Sequence, residues 1–464
     1  MKRLSIVIVL FSMLFIPAIL FAMPTVFPHG TTIYKPEKSF NGYTILTTKG
    51  NQTILIDMNG NVVKHWENLC DEEHPAKILP GGYAMGATGA RGRLYEHEDS
   101  NDLSIVDWDG NIVWTSPKAG IHHDFQREGN PVGYYVPGMD PLIGSGRTLI
   151  LSHKVAKNKR ISDKPLYDDF IFEVDHDGKV IFEWLASDHI KEMGFSQEAR
   201  TTMYRYPNYV MTRTRGVVGG DWIHINSASW LGPNKWFDAG DERFHPDNII
   251  YDGRQTNTTG IISRKTGKIV WHLGPDFTAS RALKKIKPTI GLHHAHMIPK
   301  GLPGEGNILI FDNGGYGGYG PPNAGAPTGL NDARRDYSRV IEIDPIKLKI
   351  VWEYSANKAG FRDKYKFYSD YISSAQRLPN GNTLITEGSL GRIFEVTAGS
   401  KKKKPETVWE YISPYYNMEE NYNMVYRAYR APYDYVPQLE KPVEKAVIPP
   451  ENSTLRVKDL TTAK

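Results

Sequence analysis

The 464-residue sequence predicts an all-β chain, a six-bladed β-propeller whose ring is closed by its own C-terminal segment. Two observations predict this. A strand–turn–strand motif ending on tryptophan recurs six times, and a second hairpin motif precedes or links the copies. Two hairpins per unit make a four-stranded antiparallel sheet, and six such sheets repeated at intervals of tens of residues close radially. A content of 43 glycines, 26 tyrosines and ten tryptophans suits so turn-rich a chain. A two-sheet sandwich or a pair of separate β domains are the alternatives; the sixfold recurrence favours the ring.

The first motif reads ILIDMNGNVVKHW at 54–66, IVDWDGNIVW at 105–114 and IFEVDHDGKVIFEW at 171–184. It continues as IISRKTGKIVW at 261–271, VIEIDPIKLKIVW at 340–352 and, with a longer lysine-rich turn, IFEVTAGSKKKKPETVW at 393–409. Alternating apolar residues around Asn, Asp or Gly mark each as a hairpin. The terminal aromatic is placed to pack between neighbouring sheets. The second motif reads HPAKILPGG at 74–82, HHDFQREGN at 122–130, WIHINSASWL at 222–231, HHAHMIPKG at 293–301 and SAQRLPNG from 374. Irregular spacing assigns residues 138–165 and 315–336 to surface-loop insertions. The first blade has strands at 43–47, 54–57 and 62–66 but no innermost one; 424–430, MVYRAYR, is expected to supply it.

Residues 1–22 read as a secretory signal: Lys2 and Arg3, an apolar run, then Ala22. An uncleaved anchor is the alternative, since the run approaches the spanning length of about 20 residues. The chain is therefore expected in a periplasm or outside the cell, without stable membrane insertion after cleavage. The propeller is expected over 23–436, with 23–45 as a short lead-in and 437–464 as a strap or tail. Cys70 is the only cysteine, so no intramolecular disulfide can staple the fold. A formal charge of +4, part of it in the signal and a lysine-rich tail, does not suggest nucleic acid.

The stretch around which the rest is arranged is LHHAHMIPKGLPGEGNILIFDNGG at 292–315. A histidine cluster opens one strand, and a second strand ends at Asp312-Asn313-Gly314. In a propeller the first strand of each blade lies nearest the axis, and its start shares a face with the loop before the third strand. The first-strand starts carry His74, His122 and His123, His224, His293, His294 and His296, and Ser373 and Ser374. Third strands begin at Arg339 and Arg392, and Arg254 and Asn257 lie just before another. These groups are expected to converge on one mouth of the central channel. Strand alternation puts His294 and His296 on one face and His293 on the other. Arginine offers a planar donor fork for sulfate, phosphate or carboxylate. Histidine acts as acid, base or nucleophile near neutral pH. The remaining histidines, His153 among them, read as solvated or packing residues. A zinc or copper site at His294-x-His296 is the competing chemistry; the strand carries no acidic residue and the arginines oppose a cation, so no metal is expected.

DWIHINS at 221–227, RQTN at 254–257, RKTGKIVWHLGP at 264–275, the 292–315 stretch, YSRVIEID at 337–344 and SAQRLPNGNTLITEG from 374 together resemble the bacterial aryl-sulfate sulfotransferases. The likeness spans most of residues 30–435. It implies a six-bladed propeller that moves a sulfuryl group from a phenolic sulfate to a phenol, with no cofactor. A histidine of the family takes the group first. Matched by motif, His224, His293 (or His294) and Arg339 would be catalytic, with Arg339 holding the sulfate oxygens. His123, His294, His296, Arg254, Asn257 and Arg392 would contact substrate. Three departures stand out. The family's nucleophilic histidine follows its arginine, whereas no histidine follows His296 here and the matching blade carries Ser373 and Ser374. The family's cysteine pair is absent. Its separate N-terminal β domain is missing or reduced to 24–45, which leaves the oligomeric state open. A sulfatase-like hydrolase and a non-catalytic binder of sulfated or anionic ligands are the alternative functions. A quinone-cofactor dehydrogenase, suggested by Thr266-Gly267 and Trp271, is disfavoured by six blades and the lack of vicinal cysteines.

Overall fold

Six antiparallel sheets stand around a central axis in the computed structural model, which describes residues 28–50, 52–70, 74–88, 102–116, 120–130, 142–211, 218–400, 402–416 and 422–449. The expected signal at 1–22 lies outside the described residues, as does the tail beyond 449. Blade 2 runs outward through Lys77–Leu79, Tyr83–Thr88, Asp102–Val106 and Ile112–Thr115. Blade 3 has Phe125–Arg127, Thr148–Ala156, Leu166–Val174 and Val180–Leu185; blade 4 has Ile225–Trp230, Ile249–Gly253, Thr258–Ile262 and Ile269–Leu273. Blade 5 has His293–Met297, Ile308–Asp312, Arg339–Asp344 and Lys349–Ser355; blade 6 has Ser374–Arg377, Thr383–Glu387, Arg392–Val396 and Thr407–Ile412.

The ring closes twice. Ala428–Ala431 is the innermost strand of blade 1, inside Tyr43–Thr48, Gln52–Ile56 and Val62–Glu67. This is the role expected of the C-terminal segment. Gly30–Tyr34 adds a fifth, outer strand to blade 6, antiparallel to Thr407–Ile412. The chain after Val436 then crosses back over the first blade: Gln438 donates to the Gly81 carbonyl, Asn59 to that of Val443, and Tyr34 and Val447 exchange backbone bonds of 2.8 and 2.9 Å. Both insertions are corrected. Residues 138–165 contain the nine-residue strand Thr148–Ala156, which pairs along its whole length with Leu166–Val174, while only Thr148–Ile150 also pair with the inner strand Phe125–Arg127. Residues 315–336 fold into their own hairpin, Gly315–Tyr319 against Leu330–Arg335.

Each motif tryptophan reaches the outer turn of the next blade. The indole N–H donates to a backbone carbonyl there: Trp66 to Asp107, Trp114 to His176, Trp184 to Gly267, Trp271 to Pro345 and Trp352 to Ala398. Trp409 completes the circle on Met58 at 2.8 Å. A buried indole needs an acceptor, and the neighbouring turn has carbonyls that no ladder uses. Nearer the axis, polar side chains tie inner strands together. Asp124 accepts from Ala228 N–H, Gln126 from Trp230, Asp252 from Ala295, and Gln376 both donates to and accepts from the Arg430 backbone. The channel is thus lined with buried polar groups, many of them tied to a neighbouring blade, rather than with an apolar plug.

Candidate functional site

The inner strands of blades 3 to 6 begin alike. His123, His224, His294 and Ser373 all have positive φ, between 50° and 93°. A left-handed turn at a side-chain-bearing residue costs on the order of 1–3 kcal/mol and is kept where its surroundings fix it. Here it breaks the ladder register, by bulges between Ile225 and Ser227 and between His293 and His296, and redirects the side chains before each strand.

His224 is the best-organised group. Its Nδ1 lies 2.5 Å from Asp221 Oδ2, and its Nε2 lies 3.2 Å from Nε2 of His123. The DWIHIN stretch builds this. Trp222 donates from its indole to Asp168 at 2.8 Å, and its carbonyl takes the Tyr319 hydroxyl at 2.7 Å. Asn226 donates to the Leu292 carbonyl across to blade 5. With Trp222 and Asn226 pinned on either side, Asp221 and His224 have little freedom. His224 is 9% exposed, against 4% or less for His123, His293, His294 and His296, so it sits highest in the mouth. Burial first, and then the imidazoles of His224 and His122, hold His123 well below the ordinary histidine range.

His293 lies close enough for His224 and Arg254 to disfavour its protonation, on top of the larger effect of burial. Both its nitrogens are engaged: Nδ1 faces Asn313 Oδ1 at 2.8 Å and the Gly291 carbonyl at 2.9 Å, and Nε2 accepts from Ile372 N–H at 3.1 Å. It is a neutral imidazole locked in one tautomer. His294 and His296 lie deeper. His294 faces the Ala375 carbonyl at 3.1 Å and the Tyr429 hydroxyl at 3.4 Å, and His296 Nδ1 faces the His294 carbonyl at 3.0 Å. Their rings stand 4.5 Å apart. Burial brings His296 down to about 4.

The arginines divide into two kinds. Arg339 donates to Asp312 at 2.5 Å and to the carbonyls of Ile286, Lys287 and Pro288. Arg392 is held between Glu387 at 2.8 Å and Glu410 at 2.6 Å. Arg339, expected to hold the sulfate oxygens, and Arg392, expected to contact substrate, thus both have their guanidiniums engaged by protein carboxylates or carbonyls. Arg254 is different. It is half-buried, forms no ion pair among the described residues, and lies 5.1 Å over the exposed ring of Tyr316. Asn257, expected to contact substrate, accepts from Gly291 N–H at 2.9 Å through its Oδ1, which helps fix the turn that carries Arg254. A Cβ on Gly317 would stand 2.6 Å from Asn257 Oδ1 and 3.0 Å from the Arg254 carbonyl, so glycine is what lets the Gly315–Tyr319 hairpin bring Tyr316 under the guanidinium.

Sequence reasoning missed Asp221 and Arg427. Asp221 was legible as an acid three residues before a histidine. Arg427 was hidden in the closing segment: it is fully buried, donates to the Asn226 carbonyl, and has Nη1 3.1 Å from Asp124. Its Nε has no hydrogen-bond partner, and its charge bears on His293, His294 and His296. Lys77, also buried, lies 2.8 Å from the same Asp124, so two cations share one carboxylate on the axis.

A six-bladed propeller with a histidine–arginine mouth defines the class. A family model described as arylsulfotransferase (ASST) matches residues 142–427, from blade 3 through the closing segment, and the chain belongs to that family. No functionally curated protein matches the chain. Among solved structures, the chain is similar to a Bacteroides caccae protein of unknown function, at 11% identity and a TM-score of 0.43, over 84% of this chain and 98% of that one. It is also similar to a streptogramin B lyase, at 12% identity, a TM-score of 0.33 and 84% of each chain. A Kuenenia stuttgartiensis hydrazine synthase follows at 11% identity, a TM-score of 0.38 and 80% of each. Among the described residues, no helix is long and apolar enough to cross a membrane.

Proposed function

We propose that the protein moves a sulfuryl group from a phenolic sulfate to a phenol, with Nε2 of His224 as the nucleophile. The observation that carries this is the Asp221–His224–His123 line, 2.5 Å at one joint and 3.2 Å at the other. A carboxylate on Nδ1 fixes the tautomer and raises the basicity of the opposite nitrogen, the logic of nucleophile–base–orienter sites generally. Across the facing Nε2 atoms one proton is shared. When it rests on His123, which then carries a proton on each ring nitrogen, and the entering sulfate displaces that N–H from His224, the freed His224 Nε2 lone pair attacks sulfur, an N–S bond forms, and the S–O bond to the aryl group breaks. The departing phenolate takes the proton from His123. The acceptor phenol then returns a proton to His123 as its oxygen attacks sulfur, and the N–S pair goes back to His224. Burial makes protonated His123 a strong acid, which suits protonation of a phenolate.

Arg254 takes the place expected of Arg339 as the sulfate-binding cation, with Tyr316 beside it offering a face to an aryl ring. Buried Arg427 supplies fixed positive charge from below. Charge spread over the sulfuryl oxygens in the transition state is where preorganised donors help most. Ser373 is not needed as a substitute nucleophile: its hydroxyl donates to Ser369 Oγ at 2.9 Å and accepts from Gly388 N–H at 3.0 Å. The test is mass spectrometry after mixing with 4-nitrophenyl sulfate and no acceptor. A sulfo adduct on the peptide containing His224, discharged by added phenol, is the expected result. An adduct elsewhere would move the nucleophile, and release of inorganic sulfate alone would make the protein a hydrolase. We further propose export, on the pattern at residues 1–22; an N-terminus still at Met1 in protein recovered from the periplasm or medium would overturn cleavage.

A further inference from the structure

Below the mouth, on blade 3, three ligating side chains converge. His153 and Asp169 are direct cross-strand partners on Thr148–Ala156 and Leu166–Val174, so they share a face of the sheet. His122, from the turn before the inner strand, stacks on His153 with ring centroids 3.6 Å apart and planes 3° from parallel. Its Nε2 lies 3.3 Å from Asp169 Oδ1 and 3.1 Å from the Ser152 carbonyl, and His153 Nε2 lies 3.9 Å from the same Oδ1. One ligand atom from each of the three falls within 4.8 Å of the others. Ligand atoms around a tetrahedral zinc with bonds of 2.0–2.1 Å stand about 3.3 Å apart. The His122–Asp169 contact already has that spacing; binding would draw His153 closer to Asp169 and turn one imidazole out of the parallel stack, so that both ring planes contain the ion.

Two further observations point to a cation. Asp169 Oδ2 and His122 Nδ1 are buried and have no hydrogen-bond partner among the described residues, although Oδ1 accepts from Ile225 N–H at 3.0 Å. Neither Asp168 nor Asp169 pairs with lysine or arginine among the described residues; the basic partners within reach of Asp169 Oδ1 are the imidazoles of His122 and His153. A buried carboxylate flanked by other carboxylates and neutral imidazoles lacks positive charge, and a metal supplies it.

We propose that His122, His153 and Asp169 form a three-ligand site for one divalent transition cation. Two imidazoles and a carboxylate suit zinc, copper or nickel and not magnesium or calcium. The ion would staple the two long strands of blade 3 to the turn that carries His123 and, through Asp169, to Ile225 beside His224. The inference stands whatever reaction the mouth performs.

The test uses full-length protein stripped with a chelator, desalted and titrated with Zn2+ or Co2+. Native mass spectrometry is expected to show one added ion, Co2+ to give the intense visible absorption of a tetrahedral site, and either ion to raise Tm. Asp169→Asn and His153→Phe should each lose the ion, whereas His245→Ala, at an exposed histidine, should keep it. No retained ion in the native protein, or only the weak spectrum of an octahedral surface ion, overturns the proposal even if both variants fail to fold. Retention of the ion by both variants overturns it too.

Discussion

Asp221 Oδ2 lies 2.5 Å from His224 Nδ1, inside one short stretch of chain and below 9% exposure at both residues or at that limit. So short a contact between a carboxylate and an imidazole is a charge-assisted hydrogen bond, and it decides which nitrogen His224 presents. Asp221→Asn keeps the shape and loses the charge. Sulfuryl transfer from 4-nitrophenyl sulfate is expected to fall by about 10²–10⁴-fold in kcat with little change in KM. His224→Ala should abolish the sulfo adduct. Steady-state rates on folded variants check both, and an Asp221→Asn enzyme of native rate would remove Asp221 from the mechanism.

The two kinds of arginine make opposite predictions. Arg254→Ala removes an unpaired cation from a half-buried turn. It should raise KM for the aryl sulfate by about 10–100-fold, the worth of one or two hydrogen bonds to a charged group, and leave the urea midpoint nearly unchanged. Arg339→Ala should instead destabilise the fold by about 3–5 kcal/mol, because it withdraws one of the two arginines that neutralise buried Asp312. Urea unfolding and KM, measured on both variants, separate the roles. Equal loss of stability would show that Arg254 is structural as well.

Why the arginines were misplaced from sequence is itself instructive. Arg339 and Arg392 begin third strands, and the ladder sets each directly opposite the last residue of the second strand: Asp312 across from Arg339, Glu387 across from Arg392. An acid at that position captures the guanidinium. In blade 4 the equivalent residue is Gly253, opposite Thr258, and the arginine of that loop is left for the mouth. The acids were visible in FDN and ITEG, but the pairing needed register. The six tryptophan hairpins, by contrast, were legible because each is local: period-two alternation, a turn and an aromatic within 17 residues or fewer. The outer strand Gly30–Tyr34 was not, since its partner lies in Thr407–Ile412 and nothing in GTTIY names it. The histidine cluster was readable as positions in a repeat, while its division into a carboxylate-paired imidazole at His224, a locked imidazole at His293 and a close pair at His294 and His296 depended on contacts between blades.

The tryptophan circle predicts a ranking of stabilities. Trp409 is fully buried and closes the ring onto Met58, whereas Trp352 makes the same kind of bond at a half-exposed site. Trp409→Ala should cost about 3–5 kcal/mol, as for large-to-small core changes, and Trp352→Ala clearly less. Urea unfolding followed by tyrosine fluorescence checks this. If the two variants lose equal stability, burial is not what sets the contribution of these bonds.

Acid should unfold the protein through its channel histidines. His293, His294 and His296 are held below the ordinary histidine value of 6.5, chiefly by burial, and His296 falls to about 4. A group whose folded pKa lies below its unfolded one binds more protons unfolded, so stability rises with pH between the two values and is lost on acidification. The loss should begin as pH drops below about 6.5 and continue to about 4, at up to about 1.4 kcal/mol per pH unit for each histidine. Replacing His296 with Gln removes one titrating group and should shallow the slope of unfolding free energy against pH across that window. Urea unfolding at a series of pH values measures it. Buried Asp168 and Asp252, raised to about 6, act in the opposite sense, so the deciding comparison is between native protein and His296→Gln: identical slopes from pH 6 to about 4.5 would mean that His296 is not buried neutral.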